Sequence, residues 1–211
     1  MMLTADDLPM RLAEALNRQG GKPARQSLRM SPELSYGRHA GPAPTTARAA
    51  AVMLFLFRRH GRWHVPITKR PAALLRHGGQ ISLPGGRIEA GESSEDAACR
   101  ELIEELGAQQ NVHPLGRLPD RYVYASDYLV TPHVAWTETE PTWIPDAREV
   151  ERLVELPIDS LFAPSSIGSM TVQRGPLVFH APCFLFDNDR IWGATAVILA
   201  ELAEALFETA Q

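Results

Sequence analysis

Between Gly86 and Ala108 a glycine-bounded loop runs into a single amphipathic segment, and the order of residues leaves that stretch few ways to fold. The run GGQISLPGG ahead of it is too glycine-rich for a helix, and Ile81 with Leu83 suggests a short strand there. Ser93 or Ser94 then offers an N-cap and Gly107 a C-terminal stop, which predicts a helix over 94–106. At about 100° per residue, Glu101, Glu104 and Glu105 fall within about 100° of arc, next to an apolar stripe of Ala98, Leu102 and Leu106. One side is expected to pack and the other to present three carboxylates. Like charges at i,i+4 cost a helix about 0.2–0.5 kcal/mol per pair, so Glu101 with Glu105 is a local cost that a divalent cation would reverse. Hard ions such as Mg²⁺ take a few carboxylates together with substrate phosphates and waters. The competing reading is an ordinary solvated acidic face.

Charge is distributed unevenly around this helix. The chain carries a net charge of −4, and residues 86–108 alone hold seven acids against two arginines. From Leu34 to Ile88 there is no acid at all, while nine lysines and arginines occur there. A basic stretch that runs straight into an acidic one can hold a polyphosphate between its cations and metal ions bound by the acids.

The rest of the chain supplies a globular frame. With 211 residues, 45% of them hydrophobic and 22% charged, it can bury a proper core and is not globally disordered. The longest apolar run, Ala49 to Phe57, is far short of the ~20 residues of a membrane helix. The N-terminus has acids where a signal peptide has a basic start, so the sequence reads as cytoplasmic, and Cys99 and Cys183 read as small core residues. Leu8, Leu12 and Leu16 predict a helix over 5–18, capped by Thr4, and residues 19–47 read as an extended arm. Residues 1–47 thus form a helix and arm ahead of a domain over 48–211. A turn at His60-Gly61 predicts a hairpin. RLPDRYVYAS, DYLVTPHVAWT and VFHAPCFLFD look like strands, and 147–156 is ambiguous between helix and strand. Pro157 opens a short helix through Phe162, and a closing helix runs from Gly193 to Phe207. This pattern gives an α+β or α/β sandwich.

The run GRIEAGESSEDAACRELIEELGA resembles the Nudix box, G-x5-E-x7-R-E-U-x-E-E-x-G-U with U aliphatic. Gly86, Glu92, Arg100, Glu101, Leu102, Glu104, Glu105 and Gly107 match in register, and Ala108 is a weak last member. The resemblance implies an α/β/α sandwich around a mixed sheet and hydrolysis of a nucleoside diphosphate linked to another moiety. It implies Glu101, Glu104 and Glu105 as ligands of Mg²⁺ or Mn²⁺, with Arg100 orienting them. Glu92 is then an outer ligand or a brace of the loop, a single salt bridge being the plainer alternative. Nudix proteins often take their general base from a loop outside the box, and Glu149 in DAREVERL is the candidate here, with Glu104 and Glu105 as rivals.

Upstream, TKRPAALLRHGGQISLPGG resembles the extra motif of coenzyme A pyrophosphatases, L-L-T-x-R-[SA]-x3-R-x3-G-x3-F-P-G-G. Thr68, Arg70, Gly79 and Pro84-Gly85-Gly86 fall in register; Ile67, Pro71, Leu75 and Leu83 depart from it. Ile191-Trp192-Gly193-Ala194-Thr195, opening the last helix, is similar to the end of that branch's domain. Coenzyme A carries a 3′-phosphate besides its diphosphate, for which Arg70, Lys69, Arg76 and His77 are the candidate partners, with Gly85 and Gly86 in the loop. ADP-ribose or another nucleoside diphosphate derivative is the alternative substrate, and a non-catalytic nucleotide-binding module the alternative of another class. The partner expected is a small-molecule diphosphate. No membrane is expected, nucleic acid is disfavoured because the basic stretch lacks interleaved aromatics, and a homodimer is left open.

Overall fold

A computed structural model describes residues 6–19, 29–32, 42–73, 78–108 and 110–209. Strand β1 (Arg48–Arg59) is its centre. The apolar run of this strand is buried on both faces, as a strand inside a layered sandwich must be. Leu54 and Leu56 join one core cluster, and Met53 and Phe55 the other. His60 and Gly61, both at positive φ (51° and 75°), turn the chain into β2 (Arg62–Lys69), the two-residue hairpin expected from the sequence.

The main sheet continues with β3 (Ile81–Ser82), β4 (Gly85–Arg87), β5 (His113–Arg117), β6 (Arg121–Val123), β7 (Tyr128–Trp136) and β8 (Arg152–Pro157). Its order is β3-β2-β1-β7-β5, with β4 on β1, β6 on β7 and β8 on β2. β1 and β7 run parallel and the other pairs are antiparallel, so the sheet is mixed. Helix α1 (Leu8–Gln19) and the closing helix α3 (Gly193–Thr209) cover one face, where Leu8, Leu12 and Leu16 pack in the same cluster as Val197, Ile198 and Leu202. Helix α2 (Ser94–Leu106) covers the other face through Ala97, Ala98, Leu102 and Leu106. The fold is the α/β/α sandwich around a mixed sheet that the resemblance implies.

A second sheet of β9 (Ile167–Arg174), β10 (Leu177–Phe186) and β11 (Asp189–Trp192), ordered β11-β10-β9, precedes α3. Three expectations change. RLPDRYVYAS is not one strand: Pro119, which has no amide hydrogen to give a ladder, lies between β5 and β6. Ile191 and Trp192 finish β11 rather than open the last helix. The ambiguous stretch 147–156 divides into a turn at 147–149 and strand β8. Thr4, proposed as the first helix cap, lies outside the described residues, as does most of the 19–47 arm. Among the described residues no helix is long and apolar enough to cross a membrane.

Candidate active site

Helix α2 is fixed at both ends by its own sequence. Ser93 caps it, its hydroxyl oxygen accepting from the Asp96 amide at 3.1 Å, and Gly107 closes it at φ 63° by donating to the Ile103 carbonyl at 2.8 Å. The last carbonyls of a helix have no partner within it. Here the following loop takes two of them: the Ile144 amide donates to Leu106 at 2.8 Å and the Asp146 amide to Glu105 at 2.9 Å. That stitching carries Glu149, in the 147–149 turn, to the end of the helix. Its charge bears on both Glu101 and Glu105.

Arg100 gathers the acids of the loop and the helix. Its Nε donates to Glu92 Oε1 at 2.8 Å and Nη2 to Glu92 Oε2 at 3.2 Å, a two-pronged pair. Nη1 reaches Glu101 and Glu104, each at 2.9 Å, and Nη2 also meets the Arg87 carbonyl at 3.1 Å. Glu92 additionally accepts from the Glu89 amide, and the Arg100 hydrogen bond holds its pKa below the usual carboxylate range. Glu92 and Arg100 thereby tie the loop to the helix. Gly86 completes the approach, because a Cβ there would collide with the Glu101 carboxylate.

The three box glutamates do not share one environment. Glu104 is exposed, with 57% of its side chain accessible, whereas Glu101 is half-buried. Burial raises the Glu101 pKa, offset in part by its bond to Arg100. Glu105 is only 2% exposed, which corrects the expectation that all three lie on an open face. It sits under the sheet edge, where the Thr68 hydroxyl and the Gly85 amide each donate to it over 3.4 Å. Burial, with the charges of Glu101 and Glu149 behind it, pushes its pKa up to about 7 against the pull of Gly85 and Arg70.

Thr68 matters here although sequence reasoning gave it no role beyond a place in the upstream motif. It is fully buried and also lies 3.1 Å from the Ser82 hydroxyl across the β2–β3 ladder. Only the register of that ladder, with Thr68 opposite Ser82, brings it to Glu105. Arg70, one step past β2, exchanges backbone bonds with the returning loop: its amide donates to Gln80 and its carbonyl accepts from Gly79, each at 3.0 Å. Its charge bears on Glu105 and lowers the pKa of that carboxyl against the effect of burial. Lys69 is turned elsewhere and pairs with Glu151 at 2.9 Å. Arg76 and His77 lie outside the described residues.

A divalent cation suits this donor set. The groups are all oxygen donors, the neighbouring charges raise the Glu101 and Glu105 pKa values, and among the described residues the buried Glu105 carboxylate is served by two long hydrogen bonds. Among the described residues no three acidic, histidine or cysteine side chains converge on one point, since Arg100 draws Glu101 and Glu104 to itself. Glu101, Glu104 and Glu105 are the residues that would hold such an ion.

Comparison with known proteins shows the family of the chain. Residues 47–170 match the NUDIX domain. Nudix hydrolase 3 of Caenorhabditis elegans is 28% identical over 170 residues, covering 72% of this chain and 70% of that protein. The Nudix hydrolase NudL of Yersinia pestis is 30% identical over 168 residues, covering 79% of this chain and 83% of that protein. Among solved structures, the Nudix hydrolase RenU of M. Smegmatis aligns with a TM-score of 0.48 at 16% identity, over 86% of this chain and 94% of that one.

Proposed function

The chain belongs to the Nudix hydrolase family, whose members act on nucleoside diphosphate derivatives, and from that premise we propose that its substrate is coenzyme A or a derivative of it. The products are then 3′,5′-ADP and 4′-phosphopantetheine. The observation that carries this reading is Arg70, a motif position of the coenzyme A branch whose charge also bears on Glu105. A guanidinium fork there suits a phosphate of the substrate.

The division of labour follows from the environments. A bound Mg²⁺ or Mn²⁺ supplies charge neutralisation at the diphosphate and activation of a water. Glu101, Glu104 and Glu105 would hold it, and Arg100 fixes the first two while anchoring the loop through Glu92. Glu149 accepts the proton of the attacking water from its place beside Glu101 and Glu105. Arg70 orients the diphosphate for in-line attack, a reaction that needs positioning more than covalent chemistry.

The test is incubation with Mg²⁺ or Mn²⁺ and a panel of diphosphates, the products being identified by mass. Coenzyme A should yield 3′,5′-ADP and 4′-phosphopantetheine, with 3′-dephospho-coenzyme A a poorer substrate. Cleavage of ADP-ribose with coenzyme A untouched would reject the proposal. Stoichiometric nucleotide binding without product would make the protein a binding module.

A further inference from the structure

A groove of about 550 Å³ opens between the end of the β2–β3 hairpin and the three-stranded sheet, within the size range of small-molecule sites. Lys69 and the loop 78–81 form one wall, and β9 and β11 the other. The walls are fastened together at the start of α3, where the Thr195 hydroxyl donates to the Ile81 carbonyl at 3.2 Å.

The lining is rich in amides and poor in available charge. Gln173 and Asn188 offer carboxamides, each with donors and an acceptor, Gln80 lies beside them, and Gly78 and Gly79 leave the backbone bare of side chains. Trp192, in ring contact with Phe179, and Met170 add apolar faces. Of the ionic residues on the walls, Lys69 is paired with Glu151 and Asp189 with Arg152, which leaves Arg190 without an ion pair among the described residues. A phosphate-rich ligand calls for several cations. An uncharged chain bearing amides fits this lining better, with carboxamides to bond its carbonyls and N–H groups and an indole to cover its methylenes.

The groove also begins where the carboxylate site ends. Thr68 meets Glu105, the next residue, Lys69, lines the groove, and Arg70 is bonded through its backbone to Gly79 and Gln80 of the same wall. Successive strand residues face opposite sides of the sheet, so the groove opens on the face away from Glu105, and a ligand held at Arg70 reaches it by passing around the end of the hairpin. We propose that this groove is the subsite for the uncharged, amide-bearing arm attached to the diphosphate. In coenzyme A that is the pantetheine arm, and in this respect the assignment rests on the coenzyme A reading.

Gln173→Trp fills the groove from the exposed side of β9, and Gln173→Ala removes one carboxamide. Neither touches the carboxylate site. Calorimetric titration with the two products, 4′-phosphopantetheine and 3′,5′-ADP, reads the effect directly. The tryptophan variant should bind 4′-phosphopantetheine about tenfold or more weakly, with 3′,5′-ADP unchanged, and the alanine variant should shift the same way by less. Should the tryptophan variant fail to fold, the alanine variant decides. Undiminished binding of 4′-phosphopantetheine by the variants, its failure to bind the unaltered protein, or loss of 3′,5′-ADP binding instead would each overturn the assignment. Coenzyme A hydrolysis by the unaltered protein is measured alongside. No cleavage with groove-dependent binding rejects the substrate and keeps the groove; cleavage with groove-independent binding does the reverse.

Discussion

The Thr68 hydroxyl lies 3.4 Å from a carboxylate oxygen of Glu105, and the two side chains are among the most deeply buried polar groups of the fold. A residue that holds a metal ligand from behind governs the ion without touching it. Thr68→Val keeps the shape and removes the hydroxyl. It should weaken Mn²⁺ binding by about tenfold or more, with Thr68→Ser restoring most of it. Electron paramagnetic titration of free Mn²⁺ checks this without reference to turnover. Equal affinity in the valine variant would remove Thr68 from the metal site.

The Glu105 pKa gives a pH dependence of defined sign. The folded value of about 7 lies above the ordinary 4.5, so the folded chain holds this proton more tightly than the unfolded one. Its contribution to stability is full below the unfolded value and is lost as pH rises through the folded one. Without added metal, Glu105 should therefore cost on the order of 3 kcal/mol between about pH 4.5 and 7.5. Urea melts across that range should show the decline in the unaltered protein and a flatter profile in Glu105→Gln. Parallel profiles would refute the shift.

The proposed function gives Glu104 the ion and Glu149 the proton, and two variants test that division. Glu104→Gln alters an exposed helical position, so the fold should persist while turnover falls by orders of magnitude and Mn²⁺ affinity drops with it. Glu149→Gln should lower kcat by about 10²–10⁴-fold with Mn²⁺ affinity nearly unchanged. If both variants lost the ion equally, Glu149 would be a ligand and not the base.

Arg70→Ala should reduce kcat/KM for coenzyme A by roughly 10- to 150-fold, the worth of one charge-assisted hydrogen bond of about 1.5–3 kcal/mol. The urea midpoint should stay in place, because the Arg70 bonds to the loop run through its backbone. A lowered midpoint with near-normal kinetics would make the residue structural.

Much of this site is readable from the chain because its key spacings are local. The α2 caps, the carboxylate series and the reach of Arg100 back to Glu92 all lie within one loop and one helix, where geometry follows from residue count. The burial of Glu105 is not local. The helix period places it beside Glu101, but only the docking of α2 against β1 and β4 decides which carboxylate goes under the sheet edge to meet Thr68 and Gly85. The link between Glu149 and the helix likewise depends on the 144–146 backbone finding the last carbonyls of α2, a pairing without a side-chain signature. Strand β5 was missed in the sequence because Pro114 and Gly116 spoil its alternation at a bulge, and β9 because IGSMTVQR carries too few apolar residues to declare a strand.

The bond from Thr195 to Ile81 joins positions 114 residues apart, and its donor lies outside the 47–170 stretch that matches the domain family. The box holds the carboxylates, yet the 78–81 loop is tied down from beyond the matched stretch. A chimera given only that stretch would keep the carboxylates and lose the tie, leaving the loop held by its backbone bonds to Arg70.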